Sequence, residues 1–306
     1  MNKAFEEKNQ GIIENIIPSH WQEATILANG ISQHYFRSGG EKPALILLHG
    51  FSESGLSWSR VAKALEADYD LILPDARGHG LSSGPEAGYS EDILVQDVVE
   101  LIHALHVQPV DLLGHSNGAL TAAHLAADHA ELVRAIVLED PPWGETTMQP
   151  SATNDGGDLW TGFSAWYRAW LDWHVALRTQ TFEERVASSR QFLPPGALNW
   201  PQEELATFLE SQARFNLEVL NHTPFFPTRS PWRETVERIA CRTLLLTGDA
   251  GRGAMIGPEQ AREITVACHA GQFVTFSEVG HMMHHEMQGE AFEGYIETIK
   301  TFLNER

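Results

Sequence analysis

The chain has 306 residues and carries 41 acidic against 21 basic side chains, a net charge of −20 with histidine neutral. A surface this negative repels nucleic acid and anionic lipid, which excludes both as expected partners. Its composition, 42% hydrophobic and 20% charged, is that of a globular protein with room for one large core and an insertion. No apolar run is long enough to span a bilayer. Residues 1–10 are polar with no hydrophobic targeting core, so a cytoplasmic location is expected. The two cysteines, Cys241 and Cys268, provide neither a disulfide framework nor a metal-ligand spacing.

In chain order, Ile12 to Ile17 carries an apolar pattern that Pro18 ends. Trp21 to Ala28 and Ile31 to Ser38 read as strands joined by an Asn29-Gly30 hairpin turn. Ala44 to Leu48 is continuously apolar, as expected of a strand covered on both faces. It runs into His49-Gly50-Phe51, after which Trp58 to Ala67 reads as a helix. Leu71 to Leu73 is a second buried strand, ending at Pro74-Asp75 and the turn Ala76-Arg77-Gly78-His79-Gly80. Ser90 is expected to cap a helix through His106. Val110 to Leu113 is the next strand, and Ala119 to Ala127 an alanine-rich helix. Ala135 to Leu138 then leads to Glu139-Asp140.

From there to about Ser230 the alternation of strand and helix is lost. Seven of the nine tryptophans lie in or just beyond this stretch, Trp143, Trp160, Trp166, Trp170, Trp173, Trp200 and Trp232, together with clustered prolines, and it reads as a helical insertion with a loop over 151–158. The alternation resumes with a strand at Thr243 to Thr247, a helix at Pro258 to Ala267, a strand at Gln272 to Val279 and a final helix. The expected fold is α/β, a mostly parallel sheet of about eight strands flanked by helices. The expected organisation is a core over 1–140, a helical cap over 141–230 and the second part of the core over 231–306.

Gly114-X-Ser116-X-Gly118 joins a strand to a helix, the pattern of a nucleophile elbow. Side chains at the two glycines would collide with the opposite arm of the bend. With His49-Gly50-Phe51 and Asp75 to Gly80 before it and Gly280-His281 after it, the chain resembles the α/β-hydrolase superfamily with a helical cap. The resemblance covers nearly all of the chain outside the cap.

It implies Ser116 as nucleophile, His281 as general base, and an oxyanion hole from the amides of Phe51 and Asn117. The acid that orients His281 is ambiguous. Asp140 follows one strand, where some haloalkane dehalogenases and zearalenone-type lactonases place theirs, and Asp249 follows the next. Asp75, Arg77 and His79 read as structural, and Glu53 and Ser54 as bordering the pocket. His284 and His285 read as lid or surface residues, because no acidic ligand stands at helical metal spacing from them.

The cap tryptophans Trp143, Trp166 and Trp170 are the expected substrate contacts, with Asp172 and His174 flanking them. The resemblance implies hydrolysis of a small-molecule ester or lactone with an apolar or aromatic body through an acyl-enzyme. No metal or organic cofactor is implied, and a homo-oligomer is left open. Other serine chemistries remain alongside it: carbon–carbon hydrolysis of a ring-cleavage diketone, acyl transfer and perhydrolysis. A non-catalytic ligand receptor is the alternative of another class.

Overall fold

The computed structural model describes residues 16–85, 88–143, 158–222 and 232–305. An eight-stranded sheet runs in the order β1-β2-β4-β3-β5-β6-β7-β8. Its strands are β1 (Gln22–Ala28), β2 (Ile31–Arg37), β3 (Ala44–Leu48), β4 (Asp70–Pro74), β5 (Val110–His115), β6 (Val133–Glu139), β7 (Arg242–Thr247) and β8 (Gly271–Thr275). The β1–β2 and β2–β4 pairings are antiparallel and the other five parallel.

Both faces of the sheet are covered, which is why its central strands are apolar without alternation. Ala44, Ile46 and Leu48 of β3 point into one core, under α2 (Glu91–Leu105), α3 (Asn117–Asp128) and α9 (Pro258–Ala267). Leu45 and Leu47 point into the other, under α1 (Ser59–Leu65) and α11 (Gly289–Asn304). Between β6 and β7 the chain forms α4 (Asp158–Leu177), α5 (Phe182–Ser189), α6 (Gln202–Arg214), α7 (Val219–His222) and α8 (Trp232–Val236), while α10 (Met283–Glu286) precedes α11. Helices of this insertion share a third apolar cluster that includes Trp170, Trp173, Trp200, Leu209 and Phe215. Among the described residues no helix is long and apolar enough to cross a membrane.

Several local expectations change. The strand expected through Val279 stops at Thr275, because Ser277 and Glu278 form a turn. The helix expected from Trp58 begins at Ser59, after a 3-10 turn over Gly55–Trp58. The Ser90 side chain makes no capping bond, and its carbonyl instead accepts from the amides of Ile93 and Leu94. Residues 12–15 of the first apolar pattern, and the expected loop up to residue 157, lie outside the described residues.

Candidate active site

The loops that follow strands β3, β5, β6, β7 and β8 meet at the carboxyl end of the parallel strands. At the end of β5 the chain turns through Ser116, whose φ of +50° and ψ of −116° lie outside the ordinary L-residue regions. Its amide donates to the Glu139 carbonyl at 2.9 Å. A Cβ on Gly114 would sit 2.4 Å from the Gly118 carbonyl oxygen, as the tight bend requires. A Cβ on Gly118 would sit 2.1 Å from the Leu48 carbonyl oxygen. This second glycine is therefore demanded by the end of β3 and not by the opposite arm of the bend.

His281 follows β8, and its Nδ1 donates to Asp140 Oδ2 at 2.6 Å. Asp140 is fully buried and adopts a φ of +42° just past β6. The amides of Met255 and Ile256 also donate to its carboxylate, at 2.7 and 3.0 Å, fixing its plane. Asp249 is not brought to His281. It is exposed, and its side chain accepts from the Gly251 amide in a 3-10 turn.

The His281 ring lies 4.7 Å, centroid to centroid, from that of His115, the residue preceding Ser116. No hydrogen bond joins Ser116 to His281 among the described residues.

Phe51 follows β3 in a turn closed by the Glu53 amide on the Gly50 carbonyl at 3.2 Å. Asn117 opens α3, where helix amides have no acceptor within the helix itself. The Ser52 amide donates to His79 Nε2 at 3.3 Å, and His79 Nδ1 donates to the Arg77 carbonyl. Burial lowers the His79 pKa to about 3, so the ring is neutral and can accept there. Asp75 accepts from the amides of Gly55 and Leu81 and from His34, while Arg77 pairs with Asp97. These contacts brace the loops.

A cavity borders Phe51, Asn117 and Gly118, with Leu94, Val98 and Tyr89 among its walls. Trp143, Trp166 and Trp170, the expected substrate contacts, do not line it. Trp143 is buried in the sheet core and its carbonyl accepts from Gln260. Trp166 is 40% exposed and stacks on Trp170. Trp170 packs against His174 and against Phe215, whose ring lies 5.2 Å from that of Phe51. The indoles of Trp166 and Trp170 thus pack on each other and on neighbours within the β6–β7 insertion. Asp172 is exposed, whereas His174 is buried and reaches Gln212.

His284 and His285 are not lid or surface residues, since both are 0% exposed. Their acidic partners come from distant segments, Glu139 for His284 and Glu204 and Glu53 for His285. Glu53 and Ser54 are likewise buried behind the loop instead of facing the pocket. Burial opposes a charge on His285, but its two carboxylates outweigh that and raise its pKa to about 9. Burial also opposes a charge on Glu53, yet His115 and its other partners hold its pKa well below the usual carboxylate range. Glu53, His284 and His285, and separately His115, Glu139 and His284, bring metal-ligand-type atoms within 4.8 Å of one another. Carboxylate–imidazole hydrogen bonds already occupy most of those atoms.

A family model for the alpha/beta hydrolase fold matches residues 43–287. N-formylmaleamate deformylase of Pseudomonas putida is 35% identical over 170 residues, which is 51% of this chain and 62% of that protein. A soluble epoxide hydrolase of Corynebacterium sp. is 35% identical over 114 residues, 37% of this chain and 40% of that protein. The chain thus aligns with less than two thirds of either relative. The crystal structure of N-formylmaleamic acid deformylase from Pseudomonas putida S16 superposes with a TM-score of 0.70 at 22% identity, covering 91% of this chain and all of that one. A carboxylesterase from Bacillus subtilis gives 0.73 at 16% identity, covering 98% and 97%.

Proposed function

Because the chain belongs to the alpha/beta hydrolase family, we propose that it is a serine hydrolase that cleaves a small carboxylic ester or lactone with an apolar body through an acyl-enzyme. The observation that carries this reading is the 2.6 Å contact between His281 Nδ1 and buried Asp140, beside a serine on a strained bend. With Nδ1–H committed to Asp140, His281 presents Nε2 as the base.

In the proposed mechanism Nε2 takes the Ser116 proton as Oγ attacks the acyl carbon. The amides of Phe51 and Asn117 receive the developing oxyanion. His281 returns the proton to the leaving oxygen, then activates water to release the acid. The mostly apolar cavity beside Phe51 and Asn117 would take the substrate's apolar body. Aspartate nucleophiles serve epoxide opening and dehalogenation in similar folds. Serine at the elbow therefore argues against those two chemistries, although the epoxide hydrolase is among the relatives.

The deformylase relative supports a second reading, hydrolysis of an N-formyl amide by the same serine. Acyl chemistry is common to both. A fluorophosphonate should label Ser116 stoichiometrically, and a panel of chromogenic esters, lactones and N-formyl amides should identify the leaving group. If neither labelling at Ser116 nor turnover of any panel member is seen, the serine-hydrolase reading is wrong. Tight ligand binding without turnover would then favour a receptor.

A further inference from the structure

Behind the oxyanion loop lies a buried carboxylate that the proposed acyl chemistry does not use. Glu53 is 1% exposed. One of its oxygens accepts from the Gly50 amide at 2.7 Å and from His115 Nδ1 at 3.0 Å. The other accepts from His285 Nε2 at 3.0 Å. His115 Nε2 continues to the His281 carbonyl at 3.0 Å, and His285 Nδ1 to Glu204 on cap helix α6 at 2.6 Å. The oxyanion loop, the elbow, the base loop and the cap thus meet through one side chain.

Donor and acceptor counting favours charged rings. Each nitrogen of His115 and of His285 faces a carboxylate or a carbonyl, an arrangement that a doubly protonated ring satisfies in full. Packing alone does not call for such a cluster, since buried ion pairs are often replaceable by apolar residues at no loss of stability. The approach is close: a Cβ on Gly50 would lie 2.5 Å from Glu53 Oε2 and 2.7 Å from His115 Nδ1. Helix α6 also grips the loop on either side of Glu53. Gln212 Nε2 donates to the Ser52 carbonyl at 3.1 Å, and Ser211 Oγ meets Ser54 Oγ at 2.7 Å.

We infer that Glu53 is a positioning residue, which holds the Phe51 amide in register with the His281 main chain and locks both to cap helix α6. This rests on the serine-hydrolase reading. Without the carboxylate, Gly50 and both imidazolium rings lose their common acceptor, and the oxyanion donor drifts from where charge develops.

The experiment is steady-state kinetics of wild type, Glu53→Gln and Glu204→Gln, with kcat expressed per Ser116 site titrated by a fluorophosphonate. That normalisation removes any loss of folded protein. Glu53→Gln should lower kcat per titrated site by about tenfold to a hundredfold, the scale of a misplaced reacting group. KM should stay within about twofold, and a boronic acid mimicking the tetrahedral state should weaken in proportion to kcat/KM. Glu204→Gln should act in the same direction, more weakly.

Wild-type kcat per titrated site in Glu53→Gln overturns the inference alone, whereas wild-type protein that does not label at Ser116 overturns the hydrolase reading with it. Should Glu53→Gln fail to fold, an unchanged kcat per site in Glu204→Gln overturns the cap linkage. Nitrogen NMR of the wild-type rings then tests the hub itself: both should be doubly protonated at neutral pH, and a neutral His115 or His285 overturns the assignment.

Discussion

Two aspartates compete in the sequence for the same role, and at the residue scale burial separates them. Asp140 is sealed beneath the loop after β7, with its carboxylate fixed by two amides and His281. Asp249 sits in solvent and closes a local turn. Asp140→Asn should therefore lower kcat by about four orders of magnitude, because an amide cannot hold the required tautomer or stabilise the imidazolium. Asp249→Asn should leave kcat within about twofold, as an exposed substitution away from the site does. Comparable losses in both variants would refute the placement of the acid. The bend at Ser116 and the position of His281 after the last strand were legible in the sequence because their motifs are local. The acid was ambiguous because it depends on where two strands end in space. The carboxylate partners of His285 were not legible, since they stand 81 and 232 residues away along the chain.

At the scale of elements, the central strands were readable because a sheet covered on both faces writes itself as apolar runs. The helical insertion between β6 and β7 was readable only as a change of composition. Trp166, Trp170 and Trp173 stand at helical spacing, but that spacing cannot tell a helical core from a substrate wall. The elbow glycines make a sharper test of element packing. Gly118 lies in the first turn of α3 against the β3 carbonyls, and Gly294 lies exposed within α11 with nothing within 4 Å of an added Cβ. Helix propensity alone favours alanine over glycine by about 1 kcal/mol at both. At Gly294 that gain should appear nearly intact, as a higher urea midpoint in Gly294→Ala. At Gly118 the new methyl would meet the Leu48 carbonyl oxygen at 2.1 Å, a backbone atom that cannot step aside without moving β3. Gly118→Ala should therefore lower the midpoint and displace the amide of Asn117, slowing Ser116 labelling. A gain in stability at both positions would contradict the packing described for the elbow.

For the whole molecule, buried histidines of opposite sign should set the dependence of stability on pH. His79 and His174 have pKa values lowered from 6.5 to about 3 and about 4, chiefly by burial. The unfolded chain takes up their protons first as pH falls below 6.5, so they favour the folded state above that value and withdraw support below it. Glu53 and Glu139, depressed from 4.5 by their histidine partners against the opposing effect of burial, steepen the loss at lower pH. His285 works in the other sense. Its folded pKa of about 9 gives stability that is complete below 6.5 and drains away as pH rises toward 9. His34 and His115, also raised, add to that alkaline slope. Surface repulsion from a net charge of −20 would by itself favour mildly acidic pH, but exposed charges are screened beyond about 8 Å at physiological salt, whereas buried rings are not. Tm by calorimetry should therefore peak near pH 6.5 and fall on both sides, with the peak keeping its place when salt is raised. A Tm that climbed steadily to pH 9, or a peak that vanished in high salt, would assign the pH dependence to the surface and remove the buried histidines as its cause.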